Sequence, residues 1–263
     1  MSDPGTNPSF GVVSPGAMWE DPGRMVAPDP QDERVRTLRR RLARAIPEPR
    51  CELDFQSPWQ LLVATILSAQ STDARVNLVT PELFRRYPTP AELAGARRET
   101  IEELVHSTGF FRNKAKAVQG AGRVIADEHG GEVPRDMETL VALPGVARKT
   151  ANLVLGTAYG IPSGILVDTH AGRVASRLGL TTEQDPVRIE ADLCAVFPKR
   201  SWVETGHRLV LHGRYVCKAR KPACGTCPLN EVCPDRAADP EGTWTARARA
   251  EAERVTGPVA PGP

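Results

Sequence analysis

The stretch LPGVARKTAN, Leu143 to Asn152, sets a primary amine, Lys149, directly behind a Pro144-Gly145 turn. The residues after the turn read as the start of a helix. The first N–H groups of a helix have no partner within it, and its dipole is positive at that end. Such an end grips anions, DNA phosphate among them, through backbone donors. Gly145 has no Cβ to obstruct the approach and can take a positive φ. The plain alternative is a helix–turn–helix corner with a solvated lysine. An amine held beside a phosphate backbone can attack a sugar carbon and form a Schiff base. A free lysine is protonated at neutral pH, so a base must be near, and Arg148 is a neighbouring cation that opposes the charge. ILVDTHAGRVASRLGL then places Asp168 after an apolar run and before a helix. There it is an N-cap, or the carboxylate that activates Lys149 and stabilises positive charge at the sugar, or both. His170 bonds either a phosphate or only the local backbone.

Cys217, Cys224, Cys227 and Cys233 follow as C-x6-C-x2-C-x5-C. Four thiolates so close in the chain converge only if the loop wraps around something, either a tetrahedral zinc or a cubane iron–sulfur cluster. Zinc sites more often use two CxxC knuckles. One CxxC with longer, unequal arms suits the wider object. Cys51 and Cys194 are isolated and take no role. From Thr205 to Asn230 the basic residues Arg208, Arg214, Lys218, Arg220 and Lys221 occur with no acidic one, which suggests a phosphate-facing patch on a chain whose formal charge is only +2.

The elements that must position these groups read as helices. Val35, Leu38, Leu42 and Ile46 recur at helical spacing. Ser57-Pro58 starts a helix before WQLLVATILSAQ, and Thr89, Pro90 and Glu92 look like a capping box. Asn113 to His129 is a long helix ended by Gly130-Gly131, Asp136 caps a short helix, and Asp185-Pro186 starts another. No stretch demands a strand, so the fold class is all-α. Residues 1–30 and 237–263 read as disordered or flexible tails, with a short polar helix near Ala246 to Val255. No signal peptide and no bilayer-length apolar run is evident, so the chain reads as cytosolic, with no membrane partner. Metal or cluster binding then outranks disulfides.

Together these segments resemble the endonuclease III family, base-excision DNA glycosylases of the helix–hairpin–helix superfamily. The resemblance runs from Arg36 to Pro234 and is carried by LPGVARKTAN, VDTH, the cysteine spacing, LLVATILSAQSTD and HGRYVCKARKPACGTCPL. It implies a six-helix barrel domain over 51–162 and a cluster domain over 31–50 and 163–236, with DNA in the cleft between them. A damaged nucleotide would be flipped into that cleft, because its C1′ is out of reach in the stack. By match, Lys149 is the Schiff-base nucleophile, Asp168 its partner, and the four cysteines hold a 4Fe-4S cluster. Gln70 fills the hole left by the flipped base. Phe110 stands where the family often has a leucine wedge, and an aromatic ring can also intercalate. Gly145, Ala147, Arg148, His170, Lys218, Arg220 and Lys221 complete the DNA contacts. The family's usual second hairpin glycine is Ala147 here, a position expected inside the helix, and the loop YGIPSGILVD is one residue longer than the commonest form. The implied activity is a bifunctional glycosylase and AP lyase. It would act on double-stranded DNA carrying oxidised pyrimidines or abasic sites, as a monomer at the nucleoid. An adenine or thymine mismatch glycosylase of the same superfamily and a non-catalytic iron–sulfur DNA-binding protein are the rivals. The residues after Pro234 are too few for the extra domain of the adenine enzymes.

Overall fold

The computed structural model describes residues 27–235, which form helices joined by short loops with no strand among them. The polar helix expected near Ala246 and most of both expected tails lie outside the described residues.

Most of the longer helices start where a short polar side chain takes up the orphan donors, whereas those that begin at Arg98, Phe111, Arg148 and Trp202 have no side-chain cap. Asp32 caps α1 (Glu33–Ala45), accepting from the backbone N–H groups of Arg34 and Val35. Ser57 caps α2 (Pro58–Leu67), and Thr72 caps α3 (Asp73–Arg86). Thr89 and Glu92 make the reciprocal capping box of α4 (Pro90–Gly95). After α5 (Arg98–Val105), a 3-10 turn at His106–Thr108 leads into the long α6 (Phe111–Glu128). Asp136 caps α7 (Met137–Ala142), which ends at the Pro144-Gly145 turn before α8 (Arg148–Tyr159). Asp168 caps α9 (Thr169–Arg177) and Asp185 caps α10 (Pro186–Val196). The last long helix is α11 (Trp202–Tyr215).

Among the described residues two large hydrophobic cores result, with a small cluster of Val216 and Ala223 beside Cys227. The first is built from α2 to α8 around Leu61, Leu62, Leu67, Ile101, Val118 and Leu155. The second joins the two ends of the described chain: Val35, Leu38 and Leu42 of α1 pack with Val174, Leu193, Leu209 and Leu229. The helical spacing of α1 exists to serve this core. Each of its three buried side chains contributes roughly 1.5–3 kcal/mol through loss of water contact. Leu153 on α8 packs against both cores, so the hairpin helix is the seam between them. α9 and α11 run in close contact because a Cβ on Gly213 would lie 2.9 Å from the His170 Cβ, a distance that only glycine permits.

Candidate active site and cluster loop

Gly145 turns the chain at φ +78°, and a Cβ there would meet the Ala117 Cβ at 2.6 Å, so both the conformation and the space require glycine. The sequence reading put Ala147 inside the helix. It is instead the N-cap of α8, with φ −94° and ψ 168°, and makes no side-chain cap. An alanine methyl cannot accept a hydrogen bond, so the first N–H groups of α8 stay open to an anion.

Lys149, one turn-start residue behind Arg148, is exposed and lines a cavity of about 70 Å³ together with Asp168. Asp168 is both cap and cavity wall. Its Oδ1 accepts from the N–H groups of His170 and Ala171, each at 2.8 Å, while Oδ2 takes no hydrogen bond among the described residues. The cap aims the carboxylate and leaves one oxygen for the cavity. Leu166, from the loop after Gly160, forms part of the same wall.

The rest of the wall was not read from the sequence. Arg214 contacts the carboxylates of Glu52 and Asp73, and the Tyr215 hydroxyl donates to Glu52. Burial alone would lower the Arg214 pKa, but the two carboxylates hold it above its ordinary value. Glu52, Asp73 and Arg214 also border an open cavity of about 500 Å³ into which His170 faces, so this ion network stands between the two spaces. Cys51 lines the smaller cavity as a thiol, because burial pushes its pKa up to about 11. His207, also lining it, is pulled down to about 4 by burial and shares a 3.0 Å hydrogen bond with Thr157. Neither is charged at neutral pH.

Among the described residues, the non-glycine positions with left-handed backbone are Gln70 (φ 54°), Phe110 (φ 48°) and Lys221 (φ 57°). All three were singled out as DNA contacts, and all three are exposed. Such a conformation costs of order 1 kcal/mol and concentrates where function demands it. Phe110 is 65 % exposed, the opposite of its ordinary place in a core. Its turn is held from inside: the buried Lys114 donates through Nζ to the Thr108 carbonyl at 2.7 Å. No sequence signal marked Lys114, since one lysine in a helix normally faces solvent.

The basic residues divide. Arg148, expected as a DNA contact, donates through Nε and Nη2 to the two carboxylate oxygens of Glu190, so its charge is paired on the protein. Arg208 is buried, donating to the carbonyls of Ile46 and Pro47, and Arg214 is spent on Glu52 and Asp73. Both leave the expected patch. Lys218, Arg220 and Lys221 remain on the cluster loop, the last two exposed. His170 shares a hydrogen bond with Arg173 at 3.3 Å.

The four cysteines of the spaced set line one cavity of about 240 Å³ with Arg177, His212 and Asn230. Among the described residues no three His, Cys, Asp or Glu side chains stand close enough together to hold one metal ion. The thiols frame a space rather than a point, which fits a multi-iron cluster and not a single zinc. The buried His212 Nδ1, on the same wall, lacks a partner among the described residues. The loop is tied to the helix that Asp168 caps. Arg173 donates to the Cys217 carbonyl at 3.1 Å, and Arg177 to the Lys218 and Ala219 carbonyls at 2.7 and 3.1 Å. A backbone bond from Ala223 to Val216 closes the long arm.

Comparison with known proteins bears on this arrangement. Residues 63–199 match the model of the HhH-GPD superfamily base excision DNA repair proteins, and residues 217–233 match the iron-sulfur binding domain of endonuclease III. Over 193 residues the chain is 58% identical to Endonuclease III of Synechocystis sp., covering 73% of this chain and 88% of that one. A solved non-covalent Endonuclease III–DNA complex is similar at 43% identity and TM-score 0.74, over 77% of this chain and 95% of that one. A trapped Endonuclease III–DNA covalent intermediate is similar at 42% identity and the same TM-score of 0.74, over 77% of this chain and 95% of that one.

Proposed function

This chain belongs to the endonuclease III family of base-excision repair proteins, and from that premise we propose that Lys149 is its nucleophile, Asp168 its essential carboxylate, and oxidised pyrimidines its substrates. The chain is a DNA glycosylase and lyase that carries a 4Fe-4S cluster. One observation supports the residue roles above all: Lys149 and Asp168 share a cavity beside a helix start left open to phosphate.

On this reading the α8 N-terminus and the Gly145 turn bind one backbone phosphate and so set the sugar beside Lys149. The damaged nucleotide leaves the stack, Gln70 enters the gap and Phe110 wedges the opposite step. Asp168 receives the proton that the Lys149 amine must lose and stabilises positive charge at C1′. The amine bonds to C1′ as the base departs with its bonding electrons. The C1′–O4′ bond then breaks, O4′ taking the bond electrons and a proton while the nitrogen lone pair forms the C1′=N bond of the Schiff base. Loss of a C2′ proton to a base then expels the C3′ oxygen with its phosphate, cutting the strand 3′ to the lesion. Cys217, Cys224, Cys227 and Cys233 would hold the cluster, which supplies iron–thiolate bonds that close the loop. Closure presents Lys218, Arg220 and Lys221 to DNA phosphates. We assign the domains as 51–162 and as 31–50 with 163–236, an assignment supported by the two separate cores, with tails at 1–30 and 237–263. The protein acts as a monomer on nucleoid DNA in the cytoplasm. No helix among the described residues is long and apolar enough to cross a membrane.

Borohydride reduction of the Schiff base tests the assignment. Lys149→Gln should form no trapped covalent DNA while keeping most duplex affinity, because phosphate contacts from the hairpin backbone persist. Trapping that survives in this variant would place the nucleophile elsewhere. Duplexes carrying a panel of oxidised bases would test the substrate class.

A further inference from the structure

α1 carries six arginines in the run ERVRTLRRRLARA, and they are not equivalent. Arg34 donates to the Leu178 carbonyl at 2.8 Å, and Arg41 pairs with Glu231, so these two serve the second core and the cluster loop. Arg36, Arg39 and Arg40 lie on another side of the helix. They line an open cleft of about 530 Å³ with Arg200, which precedes α11, and Arg208. The cleft has one acidic side chain, Glu204, and it is occupied by Arg208 at 2.9 Å. Among the described residues no ion pair neutralises Arg36, Arg39, Arg40 or Arg200. Four uncompensated guanidiniums about one cleft repel one another, and an anion between them reverses the sign of that energy.

The cleft is separate from the Lys149 cavity. α11 presents Glu204 and Arg208 to the cleft, and His207, Leu211 and Arg214 to the cavity, which places the two on different faces of that helix. Leu42 and Phe197 are buried at its floor, so it has no exposed apolar anchor of the kind that dominates protein–protein interfaces. A row of guanidiniums without an anchor complements a polyanion, and duplex DNA offers one charge per ~1.7 Å of axis. We propose that this cleft is a second nucleic-acid contact, taking phosphate backbone outside the stretch of duplex held at Lys149. It would keep the enzyme on undamaged DNA between lesions without contributing to lesion choice.

The test compares the full-length, cluster-loaded protein with its R36Q/R39Q/R40Q variant. Affinity for a long undamaged duplex is measured across a salt series. Single-turnover cleavage is measured on a lesion duplex just long enough to fill the catalytic cleft. Loss of three phosphate contacts should lower the salt slope by roughly 2 to 3, at about 0.9 per contact. Cleavage of the short duplex should not change. Should the triple variant fold poorly, R40Q/R200Q should lower the slope by about 1.8. An unchanged slope overturns the proposal. An equal loss of slope on the short duplex also overturns it, by assigning these arginines to the catalytic contact. So does loss of polyglutamate binding with the DNA slope intact, which would assign the cleft to an acidic protein.

Discussion

The two carboxylate oxygens of Glu190 accept from one edge of the Arg148 guanidinium, from Nε at 2.9 Å and Nη2 at 2.8 Å, and so fasten the start of α8 to α10 of the other core. Among the described residues, the pairing leaves Lys149 as the cation at the hairpin helix start without an ion pair. Glu190→Gln should lower stability by about 1–2 kcal/mol, less than for a fully buried pair because the Arg148 side chain is 46% exposed. Base release should slow as the hairpin loses its register against Asp168. Thermal melting and single-turnover kinetics check both, and an unchanged melting temperature would reduce the pair to a surface contact.

Asp168→Asn keeps an amide oxygen able to cap α9 but loses the charge. Base release should fall by at least ~10²-fold with little change in melting temperature. The reverse pattern, activity kept and stability lost, would leave Asp168 only its cap.

Lys114→Met removes the Nζ donor that holds the Thr108 carbonyl beneath the Gly109-Phe110 turn. Burial already holds the Lys114 pKa down, so the cation is kept there for that bond. Stability should fall by roughly 1–3 kcal/mol, the range for a lost hydrogen bond to a charged group. KM for lesion duplex should rise more than kcat falls, because the wedge is loosened and the Lys149 cavity is not. Steady-state kinetics of the variant and of Lys114→Arg, which should restore KM in part, decide the matter.

His207 gives the fold an acid limit. Its unfolded form takes a proton near its ordinary pKa of 6.5, whereas the folded form waits until about 4. The unfolded state binds more protons between these values, so stability is whole above pH 6.5 and falls as pH drops toward 4. The loss is roughly 3 kcal/mol across that window. His207→Gln should remove this part of the pH dependence, seen as a smaller gap between melting temperatures at neutral pH and near pH 5.

Helix starts were legible because a cap is a local event. Ser57, Thr89, Asp136 and Asp185 each announce a helix within four residues of chain, and each caps one. The all-α class and the α1 core face followed from spacing in the same way. Ala147 was misplaced because a cap and a first helical residue differ only in backbone angles, and alanine signals neither. The charge run over α11 misled for another reason. Linear charge says nothing of which side of a helix faces inward, and the partners that bind Arg214 lie 162 and 141 residues away. The pairing of Lys149 with Asp168 was one reading the residues offered beside a plain N-cap, and the resemblance to known proteins chose it. The ion network around them and the tether beneath Phe110 depend on contacts between distant segments that no local pattern carries.

The order of synthesis runs against the order of assembly. The first core closes within residues 53–155, so it can fold while the rest is still being made. α1 emerges earlier still, yet Arg34 bonds to the Val232 carbonyl, 198 residues later. Until α9, α10 and α11 have been made, α1 has no surface to cover its apolar face. The second core therefore forms after the first, and the cluster loop, which follows α11, joins it last. A chain stopped before α9 should then carry one finished half and an arginine-rich helix with its apolar face uncovered, a target for chaperones and proteases.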